Sequence, residues 1–152
     1  LFMKVVLQRV SSASVEVSGQ TIGEIEKGLL LFLGFEQDDD IGDISWVVNK
    51  VVNMRIFNDS EQKMNLSIND VNGDLLLISQ FTLHASIKKG NRPSFIKAAK
   101  PGIAKDLYEK TIDCFKNHYS GNIQTGEFGA MMDVELINDG PVTILMDTKN
   151  KE

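Results

Sequence analysis

One hundred and fifty-two residues, 42% apolar and 24% charged, suit one domain that buries ~70% of the surface its unfolded chain exposes, with no need of disulfide or metal. A single cysteine, Cys114, excludes an internal disulfide and any multi-cysteine metal site, and the longest apolar run, Leu29 to Leu33, is far short of the ~20 residues of a membrane span. The net charge of −5 argues against a protein that coats nucleic acid, because phosphate neutralisation dominates that affinity, and the lone thiol fits a reducing compartment, with the cytoplasm as the expected location.

Leu1 and Phe2 precede the first methionine, Met3, and are expected to be left by cloning; the domain is expected to span residues 3–147, with a polar, frayed tail over 148–152. Alternation and β-branched content predict strands over Lys4 to Val10 and Ser14 to Val17, and Gly19-Gln20 turns the chain into a third over Thr21 to Ile25. Gly28 opens a buried strand, Leu29 to Phe35. Asp38, Asp39 and Asp40 offer caps for a helix carrying Ile41, Ile44, Val47, Val48, Val51 and Val52 at helical spacing. Met54 to Phe57 reads as a short strand, Asn58 to Gly73 as a turn-rich excursion, and Leu75 to Phe81 as a central strand. Pro101 can start a second helix with Ile103, Leu107, Tyr108, Ile112 and Phe115 as its buried stripe and Gly121 as its end. Val134, Leu136 and the run Val142 to Met146 supply two last strands, joined by a turn at Asn138-Asp139-Gly140-Pro141. The sum is a mixed α/β single domain, rich in sheet, with two main helices.

Charge is unevenly spread. From Leu75 to Lys105 there is no acid, while Lys88, Lys89, Arg92, Lys97, Lys100 and Lys105 contribute six positive charges, leaving −11 on the remainder. A basic island on an acidic body attracts a local polyanion while the rest repels it, so a short or terminal piece of nucleic acid fits better than a wrapped one. The plainer reading is a solvated lysine-rich loop.

Most catalytic sets fail on composition. Only His84 and His118 are present, so a histidine-rich metal site is impossible; there is no Walker-type loop and no Gly-x-Gly-x-x-Gly fingerprint after a strand, so neither a metal nor a nucleotide cofactor is expected. A triad of Ser79, His84 and an aspartate can be written on paper, but a histidine five positions away is a weak signal. Asp38 to Asp40 is explained by helix capping more simply than by cation binding.

Two polar stretches lack a structural explanation. SQFTL, Ser79 to Leu83, ends an apolar run with a serine, a glutamine and a threonine, and strand ends are where scaffolds present chemistry to a cleft. Gly140-Pro141 heads the last strand, although proline lacks a backbone donor and sits badly in a sheet. A tight turn explains the pair; so does a rigid, carbonyl-bearing corner, which a cis peptide would permit.

Together, MKVVLQRV, SQFTL, RPSF, QTGEFGAMM and NDGPVT, spread over Met3 to Asp147, closely resemble the D-aminoacyl-tRNA deacylases, also called D-tyrosyl-tRNA deacylases. The resemblance implies layered β-sheets and hydrolysis, without a cofactor or metal, of the ester joining a D-amino acid or glycine to the terminal ribose of tRNA. It implies a homodimer whose active sites lie at the subunit interface. Ser79, Gln80, Phe81 and Thr82 would line one wall as catalytic residues, and Gly140 and Pro141 of the partner copy would be inserted against them as a cis dipeptide braced by Arg9. Phe128 and Met132 match positions that hold the terminal adenine, and Arg92, Pro93, Ser94 and Phe95 would shape the rim. Two rivals stand beside this: an editing domain like those attached to some threonyl-tRNA synthetases, and a dimeric module that binds RNA ends through the basic island without turnover.

Overall fold

The computed structural model describes residues 3–152, so the expectation for Leu1 and Phe2 lies outside the described residues. In chain order the elements are β1 (Lys4–Val17), β2 (Gln20–Ile25), β3 (Gly28–Gly34), α1 (Ile41–Asn53), β4 (Phe57–Asn58), β5 (Met64–Leu66), the one-turn α2 (Ile68–Val71), β6 (Asp74–Ser79), a 3₁₀ turn (Phe81–His84), α3 (Pro101–His118), β7 (Ile123–Thr125) and β8 (Asp133–Asp147).

β1 is the spine of the sheet. Along one side it pairs antiparallel with β8 for nearly its whole length; along the other it pairs with β3 through Lys4 to Val10 and with β2 through Ala13 to Val17. β3, β6 and β7 then continue in parallel, and β4 with β5 forms a separate ribbon. The two strands expected over Lys4 to Val17 are therefore one. The register against β8 slips between Val10 and Ser12, so one extra residue is accommodated there and the strand bends without ending.

That slip also reverses which side chains face which layer. Before it, Val5 and Leu7 point at the helices and share a core with Leu29, Leu31, Leu33, Leu75 and Leu77; after it, Ala13 and Val15 point to the opposite face and pack with Leu30, Leu76 and Ile78. β3 and β6 are buried on both faces, which is why they read as unbroken apolar runs. The sheet-rich α/β class and its layered packing are as expected.

α1 starts at Asp40, whose Oδ1 accepts from the amides of Gly42 (2.8 Å) and Asp43 (3.2 Å) while Asp43 Oδ2 accepts from the Asp40 amide (3.0 Å). Ile44, Val47, Val48, Val51 and Val52 are buried as the spacing predicts, whereas Ile41, in the first turn, is 61% exposed. In α3 the stripe falls on Ala104, Leu107, Tyr108, Thr111, Cys114 and Phe115; Ile103 faces solvent at the rim and Ile112 is half-buried. α3 ends at His118, and Gly121 lies beyond the cap, where any Cβ would strike the Tyr119 ring. The expected excursion over Asn58 to Gly73 holds β5 and α2, each short, with Ser67 and Asp70 capping α2 reciprocally.

Two more expectations change. β8 is a single strand of 15 residues, not two strands and a turn: its partner to Val10 is Asn138 and its partner to Gln8 is Thr143, so Asp139 to Val142 stand out of the ladder opposite Arg9. The tail is tied down at its start, where the Met3 and Thr148 backbones are bonded to each other's residue and Lys149 Nζ reaches Asp43 Oδ1 at 3.3 Å.

Candidate active site

β3 and β6 finish side by side, Leu33 opposite Ser79, and the next amide, Gln80, donates to the Leu33 carbonyl at 2.8 Å. The chain then leaves the sheet, so the central strand ends at Ser79 and not at Phe81. Gly34 lies against the turn: a Cβ there would meet the Gln80 carbonyl at 3.0 Å and the side chains of Leu83 and His84 at 3.1 Å. Within the turn, Gln80 Nε2 donates to Thr82 Oγ1 at 2.6 Å, the Leu83 amide donates to the Gln80 carbonyl at 3.3 Å, and the Ala85 amide donates to the Thr82 carbonyl at 3.1 Å. The amides of Phe81 and Thr82, the first two of the turn, have no acceptor among the described residues.

Beside this turn opens a cleft of about 680 Å³. One wall is Ser79, Gln80 and Phe81; the floor is Leu33, Phe35 and Ile78; Ala98, Ala99, Pro101 and Ala104 line the side where α3 begins; Phe128 to Met132 and Val134 close the other side. Phe81 is 57% exposed at the mouth and meets Phe95 edge to face, with ring centroids 5.1 Å apart and planes at 76°. Phe128 rests on Tyr108 at 6.0 Å, and the Tyr108 hydroxyl is buried, donating to the Leu77 carbonyl at 2.7 Å. Burial pushes that phenol up to about 12, against the opposing effect of the Gly126 amide and the Thr125 hydroxyl. A Cβ at Gly126 would stand 2.7 Å from Met132 Sδ and 3.0 Å from Ile78 Cδ1, so a side chain there would push Met132 aside.

Of the residues singled out from the sequence, the fold brings Ser79, Gln80, Phe81, Phe95, Phe128 and Met132 onto one cleft. Thr82 is exposed just outside the lining and joins it only through Gln80. Ser94 is instead paired with Ser86 in a two-way backbone bridge at 2.8 and 2.9 Å, and Arg92 is exposed on the loop it closes. Arg9, Gly140 and Pro141 form a second cluster that does not line the cleft of their own chain. Arg9 is buried and donates through Nε to the Asp139 carbonyl at 3.0 Å and through Nη1 to the Ile56 carbonyl at 2.6 Å. Asn138 Oδ1 accepts from the Val142 amide at 2.7 Å, stapling the base of the corner. The Gly140-Pro141 peptide is cis, and Gly140 has φ +133, a backbone region L side chains rarely adopt, with Arg9 Nη2 2.9 Å from where its Cβ would be.

Sequence reasoning missed most of the apolar lining. Phe35, Ala98, Ala99, Ala104 and Met131 carry no local mark of a site; the three alanines matter because small side chains leave the volume open, which only the packed fold reveals. His84 proves unconnected with Ser79: its ring is 2% exposed and its Nδ1 lies 3.2 Å from Glu36 Oε1, which removes the paper triad. Among the described residues, no group of three or more His, Cys, Asp or Glu side chains is disposed to hold a metal ion, and no helix is long and apolar enough to cross a membrane.

Fold and cleft thus describe a mixed α/β protein that presents unpaired main-chain donors past the end of a central strand, beside an apolar pocket. Comparison with known proteins is specific. Residues 6–147 match the family D-Tyr-tRNA(Tyr) deacylase. A D-aminoacyl-tRNA deacylase of Flavobacterium johnsoniae is 55% identical over 150 residues, covering 99% of this chain and all of the relative. The solved structure described as c-Myc DNA Unwinding Element Binding Protein superposes with a TM-score of 0.89 at 37% identity, over 94% of this chain and 97% of that one. A second, described as a probable eukaryotic D-amino acid tRNA deacylase, shares the fold with a TM-score of 0.82 at 16% identity, over 97% of this chain and 100% of that one. The chain belongs to the D-Tyr-tRNA(Tyr) deacylase family and is an enzyme of that deacylase class.

Proposed function

We propose that the protein hydrolyses the ester between a D-amino acid, or glycine, and the 3′-terminal ribose of tRNA, and rejects L-aminoacyl-tRNA. The observation that carries this reading is the pair of unclaimed amides at Phe81 and Thr82 beside the Gln80 side chain, fixed on the end of a buried parallel pair. Ester hydrolysis passes through a tetrahedral oxyanion, and preorganised donors aimed at it lower the barrier most. The apolar cleft beside them takes the terminal adenosine, with Phe128 offering a ring face and Met132 an adaptable thioether. Lys100, on the lining of the cleft, belongs to the basic island, which supplies the attraction for the acceptor end.

Proton transfer has few candidates. Thr82 Oγ1 is 2.6 Å from the Gln80 amide, which is no base, so Thr82 is a poor nucleophile here. The substrate's own 2′-hydroxyl is the better group to orient the attacking water. Thr82→Ala should therefore retain turnover within about tenfold; a fall to the uncatalysed rate would reinstate Thr82 as the attacking group.

Handedness follows if the protein works as a homodimer. Among the described residues β8 pairs with β1 alone, its other edge has no strand beside it, and Ile137 (61%) and Leu145 (73%) are exposed along it. Such an edge is normally covered. In the dimer the partner's rigid Gly140-Pro141 corner would face the Gln80 turn, accepting hydrogen at the α-carbon and obstructing an L side chain. Glycine offers nothing to obstruct, so glycyl-tRNA should be cleaved. The lone thiol, Cys114, fits the reducing cytoplasm where charged tRNA is used. Matched D-, L- and glycyl-tRNA, incubated with the enzyme with and without chelator, test the whole reading: D and glycyl esters should be lost with chelator present, and equal loss of the L ester would refute it. Binding of all three without cleavage would favour a binding module instead.

A further inference from the structure

The 3₁₀ turn that carries Phe81 and Thr82 is held in front by the end of β3 and met at the back by the segment that follows it. At the front, the Gln80 amide donates to the Leu33 carbonyl; at the back, the His84 ring is lodged against Glu36, Nδ1 lying 3.2 Å from Glu36 Oε1 outside hydrogen-bond geometry, with His84 2% and Glu36 2% exposed. Glu36 is itself fixed, because its amide donates to Asp39 Oδ2 at 2.6 Å and its carbonyl accepts from the Asp39 amide at 3.2 Å. Gly34 lies between the two attachments, packed against both Gln80 and His84, so a shift of the rear attachment is transmitted to the donor-bearing turn. A polar contact withdrawn this far from water adds little net stability, since desolvation of the two groups offsets most of the attraction. What it does supply is a fixed geometry.

We propose that His84 is a positioning residue for the deacylation site: paired with Glu36, it sets the placement of the Phe81 and Thr82 amides without touching substrate. The proposal rests on the deacylase reading above. It assigns a specific task to a buried histidine that the reaction itself does not use, and it separates chemistry from binding, because Phe128 and Met132 come from the segment between β7 and β8 and not from the turn that meets the pair.

The test uses the full chain and D-aminoacyl-tRNA at saturating and limiting concentrations. Turnover by the unmodified enzyme is established first; its absence would sink the deacylase reading and is thereby distinguished from failure of this proposal. The double variant H84L/E36L removes both partners together, so neither is left facing the other's vacancy. It should keep the circular dichroism spectrum and a Tm within a few degrees of the unmodified enzyme and a KM within about twofold, yet lose at least ~tenfold in kcat, because small misplacements of reacting groups are costly. H84N, whose amide nitrogen stands where Nδ1 does and can donate to Glu36, should keep kcat within about threefold. A folded double variant with unmodified kcat overturns the proposal, as does an equal loss in H84N and the double variant. Unfolding of the double variant overturns it too, since the pair would then act through stability.

Discussion

Arg9→Met tests how the Gly140-Pro141 corner is held. The guanidinium is 5% exposed and makes two well-formed donations, to the carbonyls of Ile56 at 2.6 Å and Asp139 at 3.0 Å, with a looser 3.5 Å approach to Asn58 Oδ1. Methionine fills similar space but donates nothing. The Ile56 carbonyl is buried and would lose a charged partner, a cost of ~1–3 kcal/mol, while the Asp139 carbonyl is half-exposed and can turn to water at smaller cost. The Asp139 carboxylate, 3.4 Å from Nε and half-exposed, adds little because solvent screens it. The total is ~2–4 kcal/mol, a large share of the ~5–15 kcal/mol that holds a domain together. For a chain of this size that corresponds to a Tm fall of roughly 5–15 °C, measured by scanning calorimetry, with the urea midpoint falling in parallel. At a temperature where the variant stays folded, D-aminoacyl-tRNA hydrolysis should drop at least tenfold, because the loosened corner no longer presents one conformation to the partner's cleft. A Tm within 2 °C of the unmodified enzyme would show that Arg9 does not bear the corner, and unmodified turnover would remove the corner from the specificity argument.

Asp39 is buried beside Glu36 and Asp43, and desolvation raises its carboxyl from 3.8 to about 6, more than its bond from the Glu36 amide lowers it. The folded protein therefore binds the extra proton between those values: the group's contribution is full below pH ~4 and is lost as pH rises through about 6, up to ~3 kcal/mol at ~1.4 per unit. Asp39→Asn, whose carbonyl can still accept from the Glu36 amide, should be more stable than the unmodified protein above pH 6.5 and lose the advantage near pH 4; urea unfolding at the two pH values checks this, and a pH-independent difference would contradict it. Tyr108→Phe should cost about 1 kcal/mol, since the Leu77 carbonyl keeps its second donor, the Gly126 amide at 3.1 Å, and should leave KM for tRNA unchanged; Tyr108→Ala, which removes the ring behind Phe128, should raise KM at least fivefold. A rise in KM with phenylalanine would mean that the hydroxyl, and not the ring, matters.

The amino-acid sequence alone determined whatever depends on neighbours along the chain. The spacing of Ile44, Val47, Val48, Val51 and Val52 placed α1, Asp40 capped it, Pro101 started α3, and the runs at Leu29 and Leu75 marked strands buried on both faces, because periodicity and capping are local physics. SQFTL and NDGPVT were visible as polar or proline-bearing anomalies at strand ends, and their joint occurrence was what pointed to the family. Only the tertiary structure decided register: one extra residue near Ser11 joins two expected strands into β1 and turns its later side chains to the other core, and the same ladder makes one strand of β8 around the protruding Asp139 to Val142. It alone assembled the cleft, whose walls come from segments more than ninety residues apart in Leu33 and Phe128, and it alone gave His84 a buried partner in Glu36. Such contacts depend on which faces meet after loops of very different length have closed, and no window of sequence carries that information.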